Sequence, residues 1–316
     1  MGQFEPPAMI KKLSTYIIPF LFIVVSCCPK NTNGGIPVFS TLSPEKSYRE
    51  IQQHIYHFRF KKATEELKAA KQLFPSNSLT YLAEVNLLWW LIITEPENKN
   101  HLINYQNTID YAIGQIEQKK ALPGNIDEFA LMNLYAFRTR IDVGNGEYIK
   151  AVRSLSSCIG RIEKSLGHEN EFEAFCLTSG LYLFATDYGS QKYPLLKLYT
   201  LLYPKGDQAK GLDLLARGFQ SDDSILKVES AYFLMRIYAH VTEQPYAAFP
   251  FAAWLSKNFP ENMIYQFYYY ELLQIVDPNF DIKSLQPTIT LIEQNQQLSP
   301  AQKCYFKKLF SVNLKN

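Results

Sequence analysis

The 316-residue sequence carries almost no net charge, because 32 Lys and Arg residues stand against 30 Asp and Glu. It also has no long run of either sign that would follow a phosphate backbone or an anionic bilayer. We therefore expect no nucleic-acid partner. Beyond the first thirty residues, no apolar run approaches the roughly 20 residues that a membrane-spanning helix needs. We expect no such helix in that part of the chain.

Motifs for catalysis and metal binding are also missing. The sequence has no Gly-x-Ser-x-Gly elbow for a serine nucleophile. His54 and His57 are the only close histidine pair, and no Cys or carboxylate spacing nearby completes a metal site. The acid pairs Glu65–Glu66 and Asp222–Asp223 have the pattern of a solvated surface or a helix start. We expect no catalytic residue, no metal and no cofactor.

Gly206 and Gly211, with four residues between them, resemble the start of a phosphate-binding loop. Such a loop follows a strand and has Lys and then Ser or Thr directly after the second glycine. Here Leu212 and Asp213 follow, and no strand is predicted before them. Asp207 lies where an N-cap would accept the first free amides of a helix. The segment therefore predicts a helix and no bound nucleotide.

The first thirty residues have the order of a bacterial signal peptide. Lys11 and Lys12 form a positive region, and residues 16–25 form an apolar region. The eight residues before Met9 lack this pattern, so translation starts either at the first residue or at Met9. We expect residues 1–26 to be a signal peptide.

The sequence VVSC, Val24 to Cys27, resembles the bacterial lipobox, whose cysteine is lipidated and becomes the new N-terminus. Acyl chains at Cys27 would anchor the chain stably, since each buried methylene contributes about 0.8 kcal/mol. The alternative is a secretory peptide that ends in two cysteines. Cys28, where inner-membrane lipoproteins have Asp, favours the outer membrane of a bacterial envelope. Residues 27–43, rich in Pro, Gly, Asn and Ser, predict a flexible tether after the lipidated cysteine.

Residues 44–316 predict an all-α chain. Apolar residues recur at spacings of three and four, Gly or Pro clusters interrupt them, and no alternating strand pattern is present. The predicted helices lie near 45–57, 60–73, 78–94, 100–119, 126–143, 147–165, 170–186, 193–202, 207–220, 223–241, 246–258, 262–275, 281–296 and 300–312.

The helix pairs resemble the tetratricopeptide repeat, which has 34 residues, two antiparallel helices, small residues where they touch and Pro after the second helix. Residues 229–262 have this length, with Tyr232 at the first aromatic position, Ala248 at the small position and Pro260 at the closing one. Arg236 departs from the pattern, because the repeat has Gly or Ala there. Looser matches follow the same spacing: Phe60, Ala63, Leu67, Ala70 and Pro75, and then Tyr148, Ala151 and Leu155. The resemblance implies a tetratricopeptide-like α-solenoid of antiparallel helix pairs.

Residues 170–275 are similar to the core of the Iml2-like tetratricopeptide family, which includes outer-mitochondrial-membrane proteins and related bacterial lipoproteins. The matching positions are Gly180, Tyr182, Pro194, Leu195, Pro204, Gly206, Asp207, Gly211, Leu215, Glu229 and Tyr232. The resemblance implies a helical scaffold without enzymatic activity, and it brings no catalytic residue with it.

Cys158 and Cys176 lie about equally far from a helix hairpin predicted around Gly167. They would then lie at similar heights on adjacent antiparallel helices. In an oxidising envelope a disulfide would form if their Cα atoms came within about 7 Å. The alternative is two buried free thiols.

Aromatic residues are abundant, with 21 Tyr and 21 Phe. Residues 267–270 are four consecutive aromatics, and they cannot all face one core because successive helical residues turn by about 100°. They either wedge against neighbouring helices on both sides or line a concave surface. In helical-repeat arrays the first helix of each pair lines that surface. The candidate concave-face residues are Phe233, Ile237, His240, Tyr268 and Tyr269.

These features favour a non-enzymatic scaffold or assembly factor, held at the membrane by lipid at Cys27, that binds another envelope protein or peptide. One alternative is a glycan-binding lipoprotein that uses its aromatic rings as stacking platforms. A second alternative is a hydrolase whose catalytic residues are dispersed along the sequence.

Overall fold

The computed structural model describes residues 43–119, 124–192 and 202–313. They form thirteen α-helices and one short 3-10 helix, with no strand among them. In chain order the α-helices are α1 (Pro44–Tyr56), α2 (Phe60–Leu73), α3 (Ser78–Thr94), α4 (Lys99–Glu117), α5 (Asn125–Gly144), α6 (Tyr148–Ser165), α7 (Phe175–Lys192), α8 (Gln208–Gln220), α9 (Ser224–His240), α10 (Pro245–Asn258), α11 (Met263–Val276), α12 (Gln286–Gln294) and α13 (Pro300–Asn313). The all-α prediction is confirmed.

The predicted signal peptide, Cys27 and most of the tether lie outside the described residues, as does the helix predicted near 193–202 apart from its last residue. None of the described helices has the length and apolar character needed to cross a membrane. The helix α1 begins at Pro44, where the rigid proline ring suits a first helical position. The Ser43 hydroxyl caps this helix by accepting from the Lys46 N–H at 3.2 Å.

Two predicted helices differ from the observed ones by more than two residues. The helix predicted at 170–186 is α7 and begins only at Phe175, because turns fill residues 166–174. The helix predicted at 281–296 is split into a 3-10 helix, Ile282–Leu285, and α12. Pro287 explains the split, since it lacks an N–H and is tolerated only in the first turn of a helix.

Helix contacts divide the chain into two compact units. The first unit contains the described residues of 109–220, and the second contains 43–108 with 221–313. The division runs through α4. Neighbouring helices pack as pairs in both units, α5 with α6 and α7 with α8 in the first, and α1 with α2 and α9 with α10 in the second.

The turn between α5 and α6 is short because Gly146 adopts a left-handed conformation with φ of 76°. The Glu147 N–H then donates to the Asp142 carbonyl oxygen at 2.7 Å. The Asp142 side chain is buried and accepts from the Ser154 hydroxyl at 3.1 Å, so it joins the two helices.

The helices α7 and α8 approach closely through glycines. A Cβ atom at Gly211 would lie 2.7 Å from the Gly180 carbonyl oxygen, and one at Gly206 would lie 2.2 Å from the Asp187 nitrogen. The predicted cap is confirmed, because the Asp207 carboxylate accepts from the Lys210 N–H at 3.0 Å. The Gly206 and Gly211 spacing therefore serves close helix packing.

Of the two alternatives for Cys158 and Cys176, the structure has the free, buried thiols and no disulfide. The helices α6 and α7 touch each other only slightly, because α6 packs mainly on α5 and α7 packs mainly on α8. The Cys158 thiol donates to the Met132 carbonyl oxygen of α5 at 3.3 Å. Burial raises the pKa of Cys158 to about 12 and that of Cys176 to about 11, which keeps both thiols protonated.

The second unit is built from two segments that are far apart in the chain. α1 contacts α9, and α3 contacts α13, in addition to the pairing of neighbours. The buried Phe58 ring lies 5.5 Å from the Trp90 ring and 5.7 Å from the Phe306 ring, centroid to centroid. Residues from both segments therefore share one aromatic core.

Candidate functional site

The helices α9 and α11 carry a group of polar and aromatic side chains that we call the Arg236 cluster. It consists of Tyr232, Arg236 and His240 from α9 and Tyr268 and Glu271 from α11. The three α9 residues are four positions apart, so they lie along one face of the helix. All five are only partly buried, whereas their neighbours Ala231, Phe233 and Leu272 are core residues.

Arg236 is fixed against Tyr268. Its Nη1 atom donates to the Tyr268 hydroxyl at 2.5 Å, and the guanidinium carbon lies 4.9 Å from the centre of the Tyr268 ring. A guanidinium over an aromatic face is attracted by the ring quadrupole. The Tyr232 and His240 rings lie 6.2 and 5.9 Å from the Tyr268 ring. The aromatic rings therefore hold the cation in one position.

His240 and Glu271 face each other at the edge of the cluster. The His240 Nε2 and Glu271 Oε2 atoms are 3.7 Å apart, which is too long for a hydrogen bond. Both atoms are buried and make no hydrogen bond within the described chain. Burial, with a smaller effect of Arg236, lowers the pKa of His240 to about 4, so its ring is neutral near pH 7. Burial raises the pKa of the Glu271 carboxyl, and Arg236 opposes this.

The five predicted concave-face residues divide into three groups. His240 and Tyr268 belong to the Arg236 cluster. Tyr269 lies apart from it and stacks on Phe249 of α10, with ring centroids 5.7 Å apart. Phe233 and Ile237 are correctly placed on α9 but are fully buried in the core. They do not line a surface, because they lie on the face of α9 that packs inward.

Sequence reasoning did not include Arg236, Glu271 and Tyr232 among the candidate surface residues. Arg236 carried a signal, because a large cation occupies a position where the predicted repeat would have Gly or Ala. Such a side chain cannot be accommodated between closely packed helices and must extend to a partly open surface. Glu271 carried no signal, since its role depends on facing His240 across two helices.

A surface cavity of about 650 Å³ lies between α13 and residues 95–98 of the α3–α4 loop. Glu95 at its wall accepts from the Ser299 hydroxyl at 2.5 Å, and its other oxygen lies 3.0 Å from His101 Nε2. Burial alone would raise the pKa of Glu95, but these hydrogen bonds lower it. A catalytic general acid has a raised pKa. Glu95 is arranged to join the loop to the start of α13.

The histidine pair lies on α1 and the turn that follows it. His54 and His57 are both partly exposed, and burial lowers both pKa values. The His57 ring lies against Phe259, with centroids 5.0 Å apart. Within residues 43–119, 124–192 and 202–313, no group of three or more His, Cys, Asp or Glu side chains is placed to hold a metal ion.

Comparison with protein-family models, with curated proteins and with solved structures found no match to this chain. The functional argument therefore depends on the geometry of the Arg236 cluster. The cluster combines a permanent cation with aromatic walls on a partly exposed face of two helices.

Proposed function

We propose that this protein is a lipid-anchored lipoprotein of the bacterial envelope that acts as a non-enzymatic scaffold or assembly factor. It binds another envelope protein or peptide through the Arg236 cluster. The observation that carries this proposal is the presence of partly exposed polar and aromatic side chains on successive first helices, α9 and α11. Arginine and tyrosine are the residue types that dominate the energetics of protein interfaces.

The proposed architecture is a tetratricopeptide-like arrangement of helix pairs. In support, the 34-residue segment predicted to be one repeat, residues 229–262, contains most of α9 and all of α10, although α9 begins before it at Ser224. Ala248, at the small position, is completely buried, and Pro260 follows the end of α10. Ala63 and Ala70 of α2 are likewise buried at the small positions of another copy.

The proposed anchor is the lipid at Cys27, and the proposed location is the outer membrane. The lipobox-like sequence before Cys27 and the absence of Asp after it support these assignments. A protein held by lipid next to a membrane meets its envelope partners at a raised local concentration. We therefore expect the anchor to contribute to partner binding.

A pull-down of the tagged protein from its native membranes in mild detergent tests the proposal. We expect a stoichiometric protein partner, identified by mass spectrometry, to co-purify with the wild type. Cys27→Ala should release the protein from the membrane and reduce capture of the partner. Arg236→Gln should lose the partner while staying on the membrane, whereas Arg153→Gln, at an exposed arginine of α6, should retain it.

Folded, membrane-bound protein that captures no partner would contradict the proposal. Binding to envelope glycans would then be the function to test. Tyr246, which is 72% exposed at the start of α10, is the flat aromatic surface that such binding would use.

A further inference from the structure

No carboxylate of the described residues lies within ion-pair distance of Arg236. The Glu271 carboxylate of the same cluster acts on Arg236 electrostatically without contacting it, and its Oε2 atom lies 3.7 Å from the His240 ring, which is neutral near pH 7. Every other arginine with a structural contact in the second unit has an acid beside it: Arg49 lies 2.8 Å from Asp223, and Arg59 lies 3.0 Å from Glu261. Partly buried arginines are normally paired in this way.

The donors of Arg236 that do not contact Tyr268 are accessible. Its only side-chain hydrogen bond among the described residues goes to the Tyr268 hydroxyl. Arg236 is only partly buried, so its remaining N–H groups lie at the partly exposed face of the cluster. The guanidinium thus keeps free N–H groups in a fixed plane, which matches the two oxygens of a carboxylate.

We propose that Arg236 binds a carboxylate of the partner protein, supplied by an Asp or Glu side chain or by a chain terminus. This inference rests on the proposed function and adds the chemistry that the partner must bring. A carboxylate fits better than a phosphate, because Glu271 lies in the same cluster and repels a doubly charged group more strongly.

A selection from a library of random twelve-residue peptides on the full-length protein tests the inference. The wild type should enrich peptides with Asp or Glu at one fixed position. Arg236→Gln should lose that preference, and a resynthesised peptide should bind this variant at least about tenfold more weakly, as for truncated charge pairs at interfaces. Arg153→Gln removes the same charge at an exposed site and should bind like the wild type.

Two further variants separate recognition from folding. Glu271→Gln removes the negative charge beside Arg236, so it should bind the acidic peptide a few-fold more tightly. Arg236→Lys keeps the charge but not the planar fork, so its affinity should lie between those of the wild type and Arg236→Gln. If Arg236 served only to hold the fold together, both Glu271→Gln and Arg236→Lys would bind the acidic peptide more weakly than the wild type or not at all. Helix content by circular dichroism confirms that each variant is folded.

The outcomes distinguish failure of this inference from failure of the proposed function. The carboxylate inference would be overturned if the selected peptides had no fixed acidic position, or if Arg236→Gln bound the peptide as tightly as the wild type. Either result would leave the scaffold function unaffected. If no peptide is enriched but a soluble polyuronate binds the wild type and not Arg236→Gln, the ligand is an acidic glycan and the protein-partner inference is wrong. No binding of either probe would overturn the inference, and the pull-down would then decide the scaffold function independently.

Discussion

Single residues decide both the chemistry and the packing of this fold. Arg236 is a cation fixed between α9 and α11 by Tyr268. Gly206 has the opposite role, because even one added carbon atom would collide with the backbone of α7. One position therefore needs a large charged side chain, and the other needs none.

At the residue scale, Gly206→Ala should destabilise the protein. The added Cβ would lie 2.2 Å from the Asp187 nitrogen and 2.8 Å from the Leu183 carbonyl oxygen, which are backbone atoms that cannot rotate away. Overpacking of this kind costs about 1–3 kcal/mol of unfolding free energy. Urea denaturation followed by circular dichroism measures the change.

Gly160→Ala is the matched control for this prediction. Gly160 lies within α6, and a Cβ atom there would meet no other atom within 4 Å. Alanine is the better helix former by about 1 kcal/mol, so this variant should be as stable as the wild type or more stable. Equal effects of the two substitutions would contradict the close packing of α7 on α8.

At the scale of elements, a buried hydrogen bond joins α1 to α9. The Tyr56 hydroxyl donates to the Glu229 Oε1 atom at 2.5 Å, and both side chains are buried. Burial raises the pKa of Glu229 to about 8, and the bond from Tyr56 lowers it only in part. Glu229 is therefore a protonated acid in the folded protein near neutral pH, although it ionises in the unfolded chain.

The raised pKa of Glu229 predicts how stability depends on pH. Between about pH 4.5 and pH 8 the folded protein binds this proton and the unfolded chain releases it, so the unfolding free energy falls as pH rises through this range. Glu229→Gln stays neutral at every pH and can still accept from Tyr56. It should be more stable than the wild type at pH 8, by on the order of 4 kcal/mol, and nearly equal to it at pH 4.5.

Thermal unfolding of both proteins at pH 5, 6, 7 and 8 checks this expectation. Exposed Glu66→Gln is the matched control, and its stability should follow the wild type at each pH. Parallel curves for the wild type and Glu229→Gln would show that Glu229 does not titrate with a raised pKa in the folded protein.

Most helices were predictable, because local signals determine where a helix starts and stops. Apolar spacing and caps placed nearly all helix bounds within two residues, and Asp207 was recognised as a cap. The sequence left a Cys158–Cys176 disulfide and two buried thiols open, because the choice depends on how the helices pack: α6 packs mainly on α5 and α7 mainly on α8, and the thiols stay free. Glu271 was missed for the same reason, since its proximity to His240 is set by tertiary packing.

At the scale of the whole molecule, contacts between distant segments shape the second unit. In a linear repeat array each repeat contacts only its sequence neighbours. Here the main-chain carbonyl of Tyr56 accepts from the Asn262 side chain at 3.0 Å, and the Gln302 amide donates to the Thr94 hydroxyl at 3.0 Å. Both bonds are buried and span about two-thirds of the chain, so this unit closes on residues from both of its segments.

This closure predicts that α1–α3 and α9–α13 unfold together. Phe306→Ala removes a fully buried ring of α13 that packs on Phe58, which costs about 3–5 kcal/mol for such a core position. Amide hydrogen exchange of the full chain should show the same loss of protection in α1–α3 as in α9–α13. Tyr246→Ala, at a 72% exposed ring of α10, should change neither segment. Loss of protection confined to α11–α13 would instead indicate unfolding in sequence order, as in a linear array.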